Sequence, residues 1–286
     1  MLKQIKKVVP KPVKSFLRRI LFFSLDKIDT LMGIGNSSIP PRRLRFDGPK
    51  NTQIFIENGK EFFRYYRDLC EIKSNNKILD VGCGIGRKTI PLVDFLDEEG
   101  LYEGLDIIEE GIDWLKKNIT KKFPNFNFTH VDVYNLEYNP NGKINASEFV
   151  FPYDDETFDL VVLGSVFTHM LPIDIENYIS QISRVLKKGG KSLITFFLLD
   201  EEALSLINRA NAKAYSGRKL DFQYIRENYR TIDENMPELA VAYELPYIVN
   251  LYKNNNLLIN DPIYYGSWCG RRDYLGNQDM VVATKI

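Results

Sequence analysis

Scarcity defines this sequence before any motif does. Its only cysteines are Cys70, Cys83 and Cys269, an odd number with no C-x-x-C pair. That pattern excludes a disulfide framework or a thiolate zinc site and points to reduced thiols in a cytoplasmic chain. Two histidines, His130 and His169, are too few for a His-rich metal centre. Asp154, Asp155 and Glu156 adjoin one another in a turn-like stretch, which reads as a solvated loop, and no obligatory metal is expected. Neither sign of charge prevails, because 38 Lys and Arg stand against 38 Asp and Glu. Without a positive field the chain has no general attraction for nucleic acid, and no nucleic-acid partner is expected. Long apolar runs are missing as well. The stretch around Ile20 to Leu25 is too short to span a bilayer or to form a signal-peptide core, and Asp26 and Lys27 follow it directly.

What remains suffices for one large α/β domain with appendages in 286 residues. Residues 1–50 form a basic amphipathic helix and a connector, and residues 51–286 form the main domain. From Val13 onward, helical spacing is met by Phe16, Ile20, Phe23 and, after a gap at Lys27, Leu31, with Lys14, Arg18 and Arg19 interleaved. Such a helix either packs on the body of the protein or makes a peripheral membrane contact through residues 13–31. Pro40, Pro41, Gly48 and Pro49 make residues 39–51 a turn-rich connector. Phe62, Tyr65, Tyr66 and Leu69 then mark one face of a further helix.

From Lys77 the chain alternates with the rhythm of βαβ units, which implies a parallel sheet covered by helices on both faces. The pattern predicts strands at 77–81, 101–106, 127–132, 158–164 and 191–198, and helices at 89–97, 111–119, 173–185 and 246–253. The runs "LLINDPIYYGSW" and "DMVVATKI" read as a closing antiparallel hairpin.

The first predicted strand ends in "LDVGCGIGR". A strand that stops at Asp80 and Val81 and turns through Gly82, Gly84 and Gly86 lets backbone approach a ligand closely. A dinucleotide fingerprint G-x-G-x-x-G would need glycine at position 87, where Arg87 stands. Asp106, ending the second predicted strand, offers a carboxylate to a ribose diol and rejects a phosphate there; its bland alternative is a helix cap. Arg87, in place of the third glycine of that fingerprint, disfavours a dehydrogenase.

Five ordered segments, "LDVGCGIGR", "YEGLDI", "FTHVDVYN", "FPYDDETFDLVVLGSVFTHM" and "VLKKGGKSLITFF", resemble the class I S-adenosylmethionine-dependent methyltransferases. The resemblance implies a Rossmann-like fold, mainly parallel with a C-terminal antiparallel hairpin, and S-adenosyl-L-methionine as cofactor. It would set Gly82, Cys83, Gly84 and Gly86 in the loop against the methionine part, with Asp80 beneath. Asp106 would take the ribose, Ile107 would cover the adenine, and Asp132 with Val133 would read the adenine edge. Gly164 and Ser165 would face the methionine amine.

A hydroxyl acceptor would need a base, and His169 in "SVFTHM" is the candidate; equally it could cap or pack the next helix. Acceptor recognition is expected from a lid or insertion at residues 200–240 and from the loop at 266–279. There Trp268 could stack on a sugar ring and Arg271 could hold a phosphate or carboxylate. The segments "SVFTHML" and "GSWCGR…QD" are similar to those of bacterial methyltransferases that accompany glycan genes. O-methylation of a small molecule or sugar precursor is thus the favoured reading. N-methylation of a small amine, or a cofactor-binding partner without catalysis, are the alternatives.

Overall fold

The computed structural model describes residues 11–46, 48–208, 214–215 and 218–286. Helix α1 (Lys11–Leu31) leads through a single 3-10 turn at Arg42–Leu44 to helix α2 (Thr52–Cys70). Asn51 caps α2 by accepting from the Ile54 N–H at 3.0 Å, and Glu71, left-handed at φ 56°, ends it. There follow β1 (Lys77–Val81), β2 (Leu101–Asp106), α3 (Glu109–Leu115), β3 (Phe126–His130), β4 (Phe158–Leu163), α4 (Pro172–Val185) and β5 (Leu186–Phe196). Beyond them come β6 (Leu198–Leu199), α5 (Glu201–Asn208), β7 (Ala214–Tyr215), β8 (Arg218–Lys219), β9 (Tyr224–Ile225), β10 (Tyr229–Thr231) and β11 (Val241–Glu244). The chain closes with α6 (Leu245–Asn254), β12 (Leu257–Ile259) and β13 (Asp279–Lys285).

Seven strands form the main sheet in the order β12-β13-β5-β4-β1-β2-β3. The five from β1 to β5 run parallel, and β13 pairs antiparallel with both β5 and β12. This is the predicted Rossmann-like sheet with its closing hairpin. Alternation along the strands divides the core into two layers. Leu79, Val161, Leu163 and Ile194 pack with α4 and α6, whereas Ile78, Leu160, Val162 and Leu193 pack with α2 and α3. Burial on both faces explains why the strands read as continuous apolar runs.

Three departures have local causes. The helix expected at 89–97 is only a 3-10 turn at Ile90–Leu92 set among other turns. The backbone there closes i→i+3 turns instead, the N–H groups of Leu92, Val93 and Phe95 donating to the carbonyls of Thr89, Ile90 and Leu92. Strand β3 stops at His130, two residues early, because the Asp132 carbonyl already accepts from Lys143 and Ile144 in the following loop. Residues 200–240, expected as a lid or insertion, have regular structure of their own. They supply α5 and two strands, β9 and β10, of a second sheet, β6-β11-β10-β9, beside a core that gathers Phe197, Phe222 and Trp268. Residues 209–213 and 216–217 of that stretch, like residues 1–10, lie outside the described residues.

Candidate active site

The carboxyl ends of β1, β2 and β4 meet at the glycine loop. Gly82 and Gly86 take left-handed conformations, φ 79° and 82°. A Cβ on Gly82 would lie 2.4 Å from Val166 Cγ2, and one on Gly86 would lie 2.5 Å from Leu115 Cδ2. Only glycine fits either place. The loop is also held by hydrogen bonds. The N–H groups of Gly82 and Cys83 donate to the Leu105 carbonyl at 2.8 and 3.0 Å, and that of Gly84 donates to Asp106 Oδ2 at 2.7 Å. Asp106 Oδ1 accepts from the Ile108 N–H at 2.9 Å, so one carboxylate ties the ends of two strands together.

Beneath the loop Asp80 is wholly buried. It accepts from Lys88 Nζ at 2.8 Å and from the Tyr102 hydroxyl at 2.7 Å, while Lys88 also donates to the Gly82 carbonyl at 3.1 Å. The sequence reading passed over Lys88. Its only signal in the sequence is a lysine two residues after the last glycine of the loop, in a place where burial demands a countercharge.

A cavity of about 190 Å³ opens against this loop. Gly82, Gly84, Asp106, Ile107 and Val133 line it, with Gly164 and Ser165 at the end of β4, His169 just beyond, and Phe46 and Tyr138 on its other walls. Ser165 is left-handed at φ 62°, an unusual backbone for a residue with a side chain. His169 Nδ1 lies 3.0 Å from the Glu238 carbonyl. A carbonyl can only accept, so Nδ1 carries the proton and Nε2 the lone pair in the neutral ring. The Tyr138 ring meets the imidazole edge-on at 5.9 Å. Glu238 thus brings the 200–240 region onto the carboxyl edge, and its Oε2 also accepts from the Leu136 N–H at 3.3 Å. Burial pushes the Glu238 carboxyl above its usual range.

A second cavity of about 70 Å³ shares Ser165 with the first and is lined by Asn58, Glu61, Tyr65, Arg87 and Gln278 among others. Gln278 Oε1 accepts from the Thr195 hydroxyl at 2.6 Å and from the Ser165 hydroxyl at 3.0 Å. Thr195 Oγ1 accepts in turn from the Ser165 N–H at 2.7 Å. Gln278 belongs to the "QD" of the segment singled out in the sequence, yet neither it nor Glu61 was foreseen, because α2 and the hairpin loop meet only in the fold.

The predicted site residues therefore separate. Gly82, Gly84, Asp106, Ile107, Val133, Gly164, Ser165 and His169 share the first cavity, while Asp80, Cys83 and Gly86 lie behind it. Asp132 is turned away: its Oδ1 accepts from Asn139 Nδ2 at 3.4 Å and its Oδ2 lies 3.9 Å from Lys143 Nζ. The expectation for Trp268 and Arg271 is corrected. Trp268 is 2% exposed, packs on Phe197 and Phe222, and donates its indole N–H to Asp279 at 2.7 Å. Arg271, 6% exposed, pairs with Asp200 and Glu202 and lies over the Tyr265 ring. Both hold the hairpin loop to α5 and the small sheet, and neither lines the two cavities described above. Of the three adjacent acids, Asp155 pairs with Arg184 at 2.8 Å and Glu156 with Lys285 at 3.4 Å.

A doubly wound parallel sheet with a glycine loop, an acid at the second strand's end and a cavity between them defines a nucleoside-binding α/β enzyme. The chain belongs to the class I S-adenosylmethionine-dependent methyltransferases: residues 72–235 match the family model described as a methyltransferase domain. Over 207 residues it is 24% identical to the demethylmenaquinone methyltransferase of Bacillus mycoides, covering 68% of this chain and 78% of that one. The enzyme of the same name from Bacillus cereus strain ATCC 10987 matches at 23% over the same length and coverage. Among solved structures, the PH0226 protein of Pyrococcus horikoshii OT3 aligns with TM-score 0.54 and 16% identity, covering 82% of this chain and 93% of that one; this likeness shows the fold. The cofactor is S-adenosylmethionine. The residues suit it, since a buried carboxylate faces the cavity where a diol would lie and glycines without side chains leave room for close approach.

Proposed function

We propose that this methyltransferase acts on the oxygen of a small hydroxylated acceptor, such as a sugar or glycan precursor. The observation that carries this reading is the second cavity. It meets the cofactor cavity at Ser165, and Asn58, Glu61, Arg87 and Gln278 furnish hydrogen-bonding groups suited to an acceptor rich in hydroxyls. Bound S-adenosylmethionine supplies a methyl on a sulfonium, with a neutral thioether as leaving group. The protein's own task is then alignment and removal of one proton. Asp106, which holds the Gly84 and Ile108 N–H groups, would accept the ribose hydroxyls, Ile107 and Val133 would flank the adenine, and Gly82, Gly84, Gly164 and Ser165 would surround the methionine part. His169, which lines the first cavity with Nδ1–H fixed on the Glu238 carbonyl, would take on Nε2 the proton of an acceptor hydroxyl that reaches past Ser165 into that cavity.

The test is a screen of nucleotide sugars and small glycans for methyl transfer by the full chain, together with His169→Asn. Asparagine keeps a donor for the Glu238 carbonyl but has no basic nitrogen. Turnover should fall by about 100-fold or more and lose its acid limb, with S-adenosylhomocysteine affinity unchanged. If His169→Asn keeps the wild-type pH profile, the base assignment is wrong. A second reading, transfer to a demethylated quinol, is favoured by the apolar wall that Tyr138, Phe149, Met170 and Tyr178 give the first cavity, and by the relatives named above. Turnover of demethylmenaquinol with none of any sugar would establish that reading instead.

A further inference from the structure

Helix α1 is mounted in reverse. An amphipathic helix on a soluble domain ordinarily buries its apolar stripe and shows its charges. In α1 the acids face the body: Asp26 and Asp29 both pair with the buried Arg42, at 2.7 and 2.6 Å, and the Arg42 N–H also donates to Asp26. Phe22, Leu25, Asp26 and Asp29 form the half-buried stripe. Ile20, Leu21, Phe23, Ile28 and Leu31 all point to solvent, Phe23 61% and Leu31 87% exposed, and Met32 extends the apolar face.

The mount itself is firm. Arg45, buried in the connector, donates to the Pro40 and Lys50 carbonyls and to the Thr52 hydroxyl, and lies over the Phe55 ring. Arg43 pairs with Glu110 at 2.9 Å, and Lys122 donates to the Ser37 hydroxyl at 2.6 Å. Phe46, a wall of the cofactor cavity, stands four residues after Arg42 on the same connector.

Charge decides what covers this face. Lys3, Lys6, Lys7, Lys11, Lys14, Arg18 and Arg19 all precede the first acid, Asp26, in a chain whose net charge is +0. In the same sequence Val13, Phe16 and Leu17 stand seven, four and three residues before Ile20 and so continue its register. Two copies meeting through this segment would bring like charges together, whereas an anionic lipid surface would neutralise them. Among the described residues no helix is long and apolar enough to cross a membrane. We propose that α1 lies on an anionic bilayer, its apolar face among the acyl chains and its lysines and arginines on the headgroups, anchored to the domain by Arg42.

Flotation of the full chain with vesicles tests this. Vesicles holding about three-tenths phosphatidylglycerol should carry at least about tenfold more protein than pure phosphatidylcholine, and about 0.5 M salt should cut that binding. Phe23→Glu with Leu31→Glu should abolish flotation, and Arg18→Glu with Arg19→Glu should weaken it about tenfold on anionic vesicles only. S-adenosylhomocysteine affinity, unchanged in all of these variants, reports an intact fold. Failure of the wild type to float with anionic vesicles overturns the proposal. So does a wild-type dimer, seen by sedimentation, that Phe23→Glu with Leu31→Glu breaks while flotation stays the same.

Discussion

Asp106 carries two burdens in one side chain. Its oxygens already accept from Gly84 and Ile108, and it faces the cavity as well. Asp106→Ala should therefore weaken S-adenosylhomocysteine binding by about 2–3 kcal/mol, roughly 30- to 150-fold, measured by calorimetric titration. Asp106→Asn, which keeps one acceptor, should lose less. Lys88 and Asp80 make the opposite kind of pair, hidden from solvent. Lys88→Met leaves a buried carboxylate with only the Tyr102 hydroxyl, and should destabilise the fold by about 3–5 kcal/mol in denaturant melts. Adding Asp80→Asn to Lys88→Met should restore part of that loss, since the uncompensated charge is gone.

At the scale of elements, the hairpin loop is secured by a carboxylate. Asp279 Oδ2 accepts from the Leu198 N–H and the Trp268 indole, and Oδ1 from the Gly266 N–H, each at 2.7 Å. One side chain thus pins β13, the start of β6 and the loop that carries Gln278. Asp279→Ala strands three buried donors and should cost about 3 kcal/mol or more, read from the shift in denaturation midpoint. The strands at 77–81 and 101–106 and the helix at 173–185 were legible because period and punctuation agree there. The helix expected at 89–97 was not: its apolar spacing is helical, yet the backbone after the glycine loop winds into i→i+3 turns.

For the whole molecule, Asp279 links stability to pH. Burial pushes its pKa up to about 6, against the three N–H donors that pull it down. An unfolded aspartate titrates near about 4. Between those values the folded state holds a proton that the unfolded state has released, so this carboxyl's contribution falls as pH rises from about 4 to about 6. Asp279→Asn cannot titrate. Its stability relative to wild type should rise across that window, measured by urea melts at several pH values. Equal pH slopes in the two proteins would mean that Asp279 stays ionised in the fold.

The sequence by itself determined the order of the five parallel strands and the closing hairpin, the glycine loop, the acid after the second strand and the family. All of these lie within short contiguous stretches, where period, turn chemistry and backbone freedom are local properties. Tertiary structure alone decided which side chains reach the cavities. Trp268 and Arg271 carry the chemistry of ligand contacts, yet Asp279, Asp200 and Glu202 take them up as struts. Glu61 and Gln278, 217 positions apart, line one cavity because β13 inserts beside β5 while α2 crosses the same edge. Likewise the helical spacing of α1 fixed an apolar face but not its direction. That direction was set by Arg42, which draws Asp26 and Asp29 inward because a buried guanidinium must be paired, and so turns the apolar face out.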